Sequence, residues 1–260
     1  MEVRIIDEVL LKCKEAGIRN ILALRGDPPA GQDWKKIEGG FSNAVDLVKY
    51  IRSCYGDYFC IGVAGYPEGH VDCKGILADT INGAIHLNLR YIRIGDLELD
   101  IQHLKAKVAA GADLIVTQLF YSTDLFVDFV KRCRSADITV PIFPGIMPIQ
   151  SYAGFKRMTE LCKTFVPEAL SSALEAVKDD PDQVRAFGIQ LATDMCRQIQ
   201  EQCGPKKMGK EGVFGLHFYT LNSEVAVLEI LKRLGLTEEE ESEVPSPSAE
   251  TPVTVFTNIA

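Results

Sequence analysis

At 260 residues, with 47% hydrophobic and 25% charged positions, the chain has the make-up of an ordinary globular protein and is long enough for one α/β barrel. Its net charge of -8 argues against nucleic acid as a main partner, because phosphate binding needs clustered Lys and Arg. No apolar run reaches the roughly 18 residues of a membrane span, no signal-peptide pattern opens the chain, and eight scattered cysteines form no C-x-x-C pair, so reduced thiols in a cytoplasmic protein are expected rather than a metal site or a disulfide framework.

The segment from Glu2 to Ala16 has a helical stripe of Ile6, Val9, Leu10 and Cys13, and Gly17 ends it. Asn20 to Leu24 reads as a buried strand, Asn43 to Arg52 as a helix and Cys60 to Tyr66 as a strand. Ile101 to Ala110 is a helix closed by Gly111, and Leu114 to Leu119 a strand. Asp124 to Arg134 is a helix burying Leu125, Phe126, Phe129, Val130 and Cys133, and Pro141 to Ile146 a short strand. Tyr152 to Gln202 is helical with breaks near Pro167 and Pro181. Val213 to Tyr219 is the last strand and Ser223 to Leu234 the last helix. Two segments stand outside this alternation. Lys74 to Gly95 is a β-prone insert, and residues 237–260 have the acidic, Pro- and Ser-rich composition of a disordered tail after a catalytic domain at residues 1–236.

Near-continuous apolar strands alternating with amphipathic helices indicate a parallel sheet covered by helices. Five strands are each followed by a helix, and one helix stands in front of them. A five-stranded open sheet would be complete, whereas an eight-stranded barrel would be three strands short. No Gly-rich phosphate fingerprint follows any strand, and polar residues are instead scattered over several strand ends, as when a barrel builds one site.

Those strand-end residues are the candidates for chemistry. Arg25-Gly26-Asp27-Pro28 puts a cation and a carboxylate after the first strand, though the same residues also make a plain turn. His70 in Tyr66-Pro67-Glu68-Gly69-His70 is either a site residue or a structural histidine, and Gln118 is an amide at the end of an apolar strand. Tyr219 could offer a ring face and a hydroxyl to a flat heterocycle, and Asn222 is a reasonable N-cap for the last helix. Asp100 and Lys107, two turns apart on one helix, read as a solvated face.

The stretches Asn20 to Pro28 (NILALRGDP), Val63 to His70 (VAGYPEGH), Ala109 to Tyr121 (AAGADLIVTQLFY), Pro141 to Ile149 (PIFPGIMPI) and Gly215 to Asn222 (GLHFYTLN) are long and occur in order. Together with Gly39 to Val48, which starts Gly-Gly-Phe, they resemble the catalytic domain of methylenetetrahydrofolate reductase. The resemblance implies a (β/α)8 TIM barrel that binds FAD, reduces it with NADH or NADPH, and reduces 5,10-methylenetetrahydrofolate to 5-methyltetrahydrofolate in one-carbon metabolism. It assigns Arg25, Gly26, Asp27, Asn43, Ala44, Tyr66, His70, Asp100 and Lys107 to the FAD. Asp27, Gln118 and Tyr219 would face the folate, with Asp27 the catalytic carboxylate favouring an iminium cation formed as the methylene bridge opens.

Against that family the chain departs in three places. Three strands are expected upstream, the first bearing a general-acid glutamate that no residue here matches, so the fold is expected to be an incomplete barrel of about five of eight βα units. The Lys74 to Gly95 insert has no family counterpart, and Ser223 stands where some members have a basic residue that reaches the folate. The isolated chain is therefore expected to bind flavin weakly or not at all and to show no measurable folate reduction. The alternatives are an inactive remnant, a folate- or partner-binding fragment, or an unrelated five-stranded module. Raw sheet edges would favour association with another copy of the chain.

Overall fold

The computed structural model describes residues 2–26, 38–70, 94–237 and 257–258. Five parallel strands stand in chain order: β1 (Asn20–Ala23), β2 (Cys60–Gly65), β3 (Leu114–Leu119), β4 (Ile142–Ile146) and β5 (His217–Phe218). Consecutive parallel neighbours with helical crossovers build an arc of a (β/α)8 barrel, five units long. A short sixth strand, β6 (Thr257–Asn258), lies parallel to β1 on its outer edge, with Ile21 opposite Thr257.

Helix α1 (Val3–Glu15) precedes β1 and buries Leu10 and Cys13, with Ile6 and Val9 packed against the same core. Helix α2 (Ala44–Tyr55) begins at Asn43, whose side chain accepts the Asp46 N–H at 3.1 Å, as an N-cap should. Helix α3 (Ile94–Ala109) starts seven residues before the expected Ile101. The reason lies in Leu97, Ile101 and Leu104, whose spacing continues one buried stripe upstream. The other residues of the proposed insert lie outside the described residues. In α4 (Thr123–Ser135) Val127 takes a fully buried place expected for Leu125, which is half-buried.

The long helical stretch resolves into α5 (Tyr152–Cys162), α6 (Glu168–Val177) and α7 (Pro181–Cys203), broken at the two expected prolines. A short α8 (Pro205–Met208) and a 3₁₀ turn (Gly209–Glu211) follow, both missed in the sequence. The last strand is two residues long rather than seven. Upstream of it the Val213 N–H bonds to the Cys203 carbonyl on α7, and Gly215 lies against the Phe143 ring, so this backbone is committed elsewhere. Helix α9 (Val225–Arg233) has Glu224 at its cap position, so Asn222 is not the N-cap. It sits with Leu221 in a left-handed turn, at φ +62° and +48°.

At the N-terminal ends of the strands, Arg52 of α2 holds the layers together. Its guanidinium donates to the carbonyls of Gly111 (2.9 and 2.7 Å), Phe59 (2.7 Å) and Gly56 (3.0 Å), and pairs with the Asp113 carboxylate. The seven described cysteines are free. Burial pushes the Cys133 and Cys196 thiols up to about 12 and Cys203 to about 11, so these three are inert packing residues.

Candidate active site

The C-terminal ends of β1 and β2 open into a cavity of about 500 Å³. Four pieces of chain wall it. After β1 come Leu24 and Arg25, followed by Gly26 at φ +80°, a left-handed turn that glycine adopts without strain. The start of α2 contributes Asn43, Ala44 and Val45. After β2, Tyr66 and His70 stand at the two ends of a turn closed by the Gly69 N–H to the Tyr66 carbonyl at 2.9 Å. Helix α3 supplies Asp100, His103 and Lys107.

The side chains in this cavity are ordered by contacts with one another. The His70 and Tyr66 rings meet edge to face at 4.5 Å, and Lys107 Nζ stands 5.6 Å from the Tyr66 ring centre. The same Nζ donates to the Ala64 carbonyl at 2.8 Å, which fixes an ammonium at the strand end. The solvated-face expectation for Asp100 and Lys107 is therefore corrected. Asp100 is only 3% exposed and Lys107 is half-buried, because the flank of α3 beside its Leu97–Ile101–Leu104 stripe turns into the cavity.

Seven residues expected to hold one cofactor thus line one cavity: Arg25, Asn43, Ala44, Tyr66, His70, Asp100 and Lys107. Gly26 directly follows that wall, and Asp27 lies outside the described residues. His103 was missed. Its spacing with Asp100 and Lys107, three and then four residues, is a polar stripe beside an apolar one, and that pattern was the available signal. Small side chains at Ala23, Ala44 and Ala64 leave the cavity open to a planar group, while the cations and the α2 N-terminus favour an anionic one.

Gln118 and Tyr219 belong to a second group, at the ends of β3 and β5. The β3–β4 register shifts between Val116 and Leu119, and within that bulge the Gln118 Oε1 accepts the Leu119 N–H at 2.9 Å. Thr117 stitches three strands: its hydroxyl accepts the Gly145 N–H at 2.9 Å, and its carbonyl accepts the Tyr219 hydroxyl at 2.9 Å. Burial pushes the Tyr219 phenol up to about 12, so it stays a donor at neutral pH. Ser223 donates to Gln150 Oε1 at 2.8 Å, tying the connection after β5 to that after β4.

His217, stacked edge to face on Tyr219 at 4.8 Å, has its pKa lowered from the ordinary 6.5 by burial. Below about 6.5 the unfolded chain then takes up more protons than the folded one, so stability falls as pH drops towards the lowered folded value. A His217→Asn variant is expected to lose less stability than the parent between about pH 7 and about pH 5, measured by urea denaturation. Equal losses would contradict the buried neutral imidazole. Among the described residues no helix is long and apolar enough to cross a membrane, and no cluster of His, Cys, Asp and Glu is placed to hold a metal.

A family model described as Methylenetetrahydrofolate reductase matches residues 1–235. The chain is 49% identical to "Methylenetetrahydrofolate reductase (NADH) 1" of Zea mays over 95% of its own length and 38% of that protein. It is 44% identical to "Methylenetetrahydrofolate reductase 1" of Schizosaccharomyces pombe over 92% of its length and 35% of that protein. To "Probable methylenetetrahydrofolate reductase (NADPH)" of Caenorhabditis elegans it is 37% identical, over 87% and 30%. The chain thus spans well under half the length of these relatives. A solved structure shares the fold at TM-score 0.51 and 15% identity, covering 81% of this chain and 66% of its own; it is titled "Uncharacterized protein from Clostridium thermocellum binds two copies of 5-methyl-5,6,7,8-tetrahydrofolic acid".

Proposed function

Because the chain belongs to the methylenetetrahydrofolate reductase family, we propose that it serves the FAD-dependent reduction of 5,10-methylenetetrahydrofolate to 5-methyltetrahydrofolate, with NADH or NADPH as the reductant. The observation that carries this reading is the cavity beyond β1 and β2, which gathers Arg25, Asn43, Ala44, Tyr66, His70, Asp100 and Lys107 from four separate segments.

The donor set suits FAD. Lys107, anchored on the Ala64 carbonyl, and Arg25 offer cations to a pyrophosphate beside the N-terminus of α2. The strand-end alanines and the Tyr66 ring offer apolar surface to a flat ring system. When bound, the flavin would supply the hydride transfer, and the protein would supply orientation and electrostatics. For the substrate, Tyr219 presents a ring face whose hydroxyl is locked on the Thr117 carbonyl, and Gln118 presents an amide at the bulge. Asp27, directly after Gly26, would place a carboxylate where positive charge develops on the opening methylene bridge.

Titration of the chain with FAD tests the reading, with quenching of flavin fluorescence as the signal. Weak but saturable quenching is expected, and a chain that leaves free flavin fluorescence untouched even at high protein concentration would sink it. Lys107→Met removes both the anchored ammonium and its approach to Tyr66, and should weaken FAD about tenfold. Unchanged affinity in that variant would move the FAD elsewhere.

One observation favours a second reading, a folate- or flavin-binding fragment without turnover: among the described residues no glutamate lines the cavity. Flavin binding without formation of 5-methyltetrahydrofolate from NADH or NADPH would select it.

A further inference from the structure

The turn Tyr66-Pro67-Glu68-Gly69-His70 brings two ring faces to the cavity from its ends, yet the residue at its tip points elsewhere. Glu68 Oε2 accepts the backbone N–H of Phe165 at 2.7 Å, a contact between residues 97 apart in the chain. Phe165 lies in the connection between α5 and α6, which follows β4, whereas Glu68 follows β2. The bond therefore passes from one βα unit to the next but one, over the C-terminal end of β3 that carries Gln118.

We propose that Glu68 is a positioning residue: its bond to Phe165 fixes the 66–70 turn and so holds Tyr66 and His70 in their cavity-lining places. The turn has a local closure, Gly69 N–H to the Tyr66 carbonyl, with Gly69 at φ +80°. A turn of that kind leaves rotation of the whole loop about its base undetermined. Glu68 is partly buried and accepts a charge-assisted bond, which is directional and stronger than a neutral one. The receiving segment is itself constrained, because the left-handed Lys163 ends α5 and the Thr164 N–H returns to the Thr159 carbonyl at 3.0 Å. A loop bearing two cavity side chains is thus tied at its apex to a rigid helix end.

The test compares Glu68→Gln, which keeps an acceptor of the same reach, with Glu68→Ala, which has none. Three readouts are taken: hydrogen exchange of the Phe165 amide, the His70 ring shift by NMR, and FAD affinity. In the unaltered chain the Phe165 amide should exchange at least about tenfold more slowly than a solvated amide. In Glu68→Ala that protection should vanish, the His70 shift should move as its ring leaves Tyr66, and FAD should bind about tenfold more weakly. Glu68→Gln should stay within about threefold of the parent in every readout.

Lost protection with an unmoved His70 shift would overturn the positioning role, and a Phe165 amide already unprotected in the parent would overturn the tether itself. If Glu68→Ala does not fold, the parent amide and Glu68→Gln still decide: a rapidly exchanging Phe165 in either refutes the proposal. The affinity arm alone rests on FAD occupying this cavity. A chain that binds no FAD would defeat that functional reading, while the exchange and NMR arms would still judge Glu68.

Discussion

Gly145→Ala is expected to destabilise the chain by at least about 3 kcal/mol and to lower its melting temperature by roughly 6–12 °C, as read by thermal denaturation. A Cβ built at residue 145 would fall far inside 3.0 Å of the Thr117 carbonyl oxygen and 2.7 Å from Cε2 of Tyr219. The first neighbour is backbone of an adjacent central strand and cannot swing aside. The second is a ring whose hydroxyl is held by that same carbonyl. Relief would require separating β3 from β4 where their register already shifts, or expelling Tyr219. A variant that survives should therefore also show a changed ring environment at Tyr219, read by NMR. Gly209→Ala is the control, because at φ +58° with open space around it the change adds only backbone strain, about 1 kcal/mol. Equal losses in the two variants would refute the packing argument.

Arg52→Met should cost roughly 3–5 kcal/mol in a urea titration, with the FAD site intact wherever the protein stays folded. All five guanidinium N–H groups are engaged, on Gly111 twice, on Phe59, on Gly56 and on Asp113. Methionine has similar bulk but no donors, so three carbonyls and a carboxylate would lose their partner together. Asp113 would keep the Ile61 N–H at 2.7 Å, which limits the damage at that one group. Lysine would recover little, since a point charge cannot match a planar fork aimed at four acceptors. The cluster lies at the N-terminal strand ends, opposite the cavity, so on the proposed FAD reading the affinity of the folded variant should be that of the parent. Loss of affinity at full foldedness would show that the two ends of the strands are coupled.

Hydrophobic periodicity was enough to read a parallel sheet, because β1 to β4 are apolar runs, β2 to β4 buried at most positions, and their helices carry clear stripes. It failed where backbone hydrogen bonds go to unusual partners. The apolar run at Val213–Leu216 looks like strand, but its backbone answers Cys203 rather than β4. Asn222 looks like a cap, yet it occupies a left-handed turn two residues before the cap position, Glu224. The site was legible at the ends of strands, where Arg25, Tyr66 and His70 announce themselves by following apolar runs. It was less legible on α3, where Asp100 and Lys107 have the spacing of an ordinary solvated face. Burial of that flank depends on how the helix lies against β2 and α2, and composition does not record it. Glu68 escaped notice for the same reason, since its partner is a backbone amide 97 residues away.

The order of strands also has a consequence for synthesis on the ribosome. Each of β2 to β5 pairs with the strand made just before it, so those ladders can form as the chain emerges. The outer edge of β1 differs, because its partner Thr257–Asn258 is made after all four of those strands. The outer edge of β1 is thus covered only after the other ladders can have formed, and its edge amides stay open to chaperones or to neighbouring nascent chains until then.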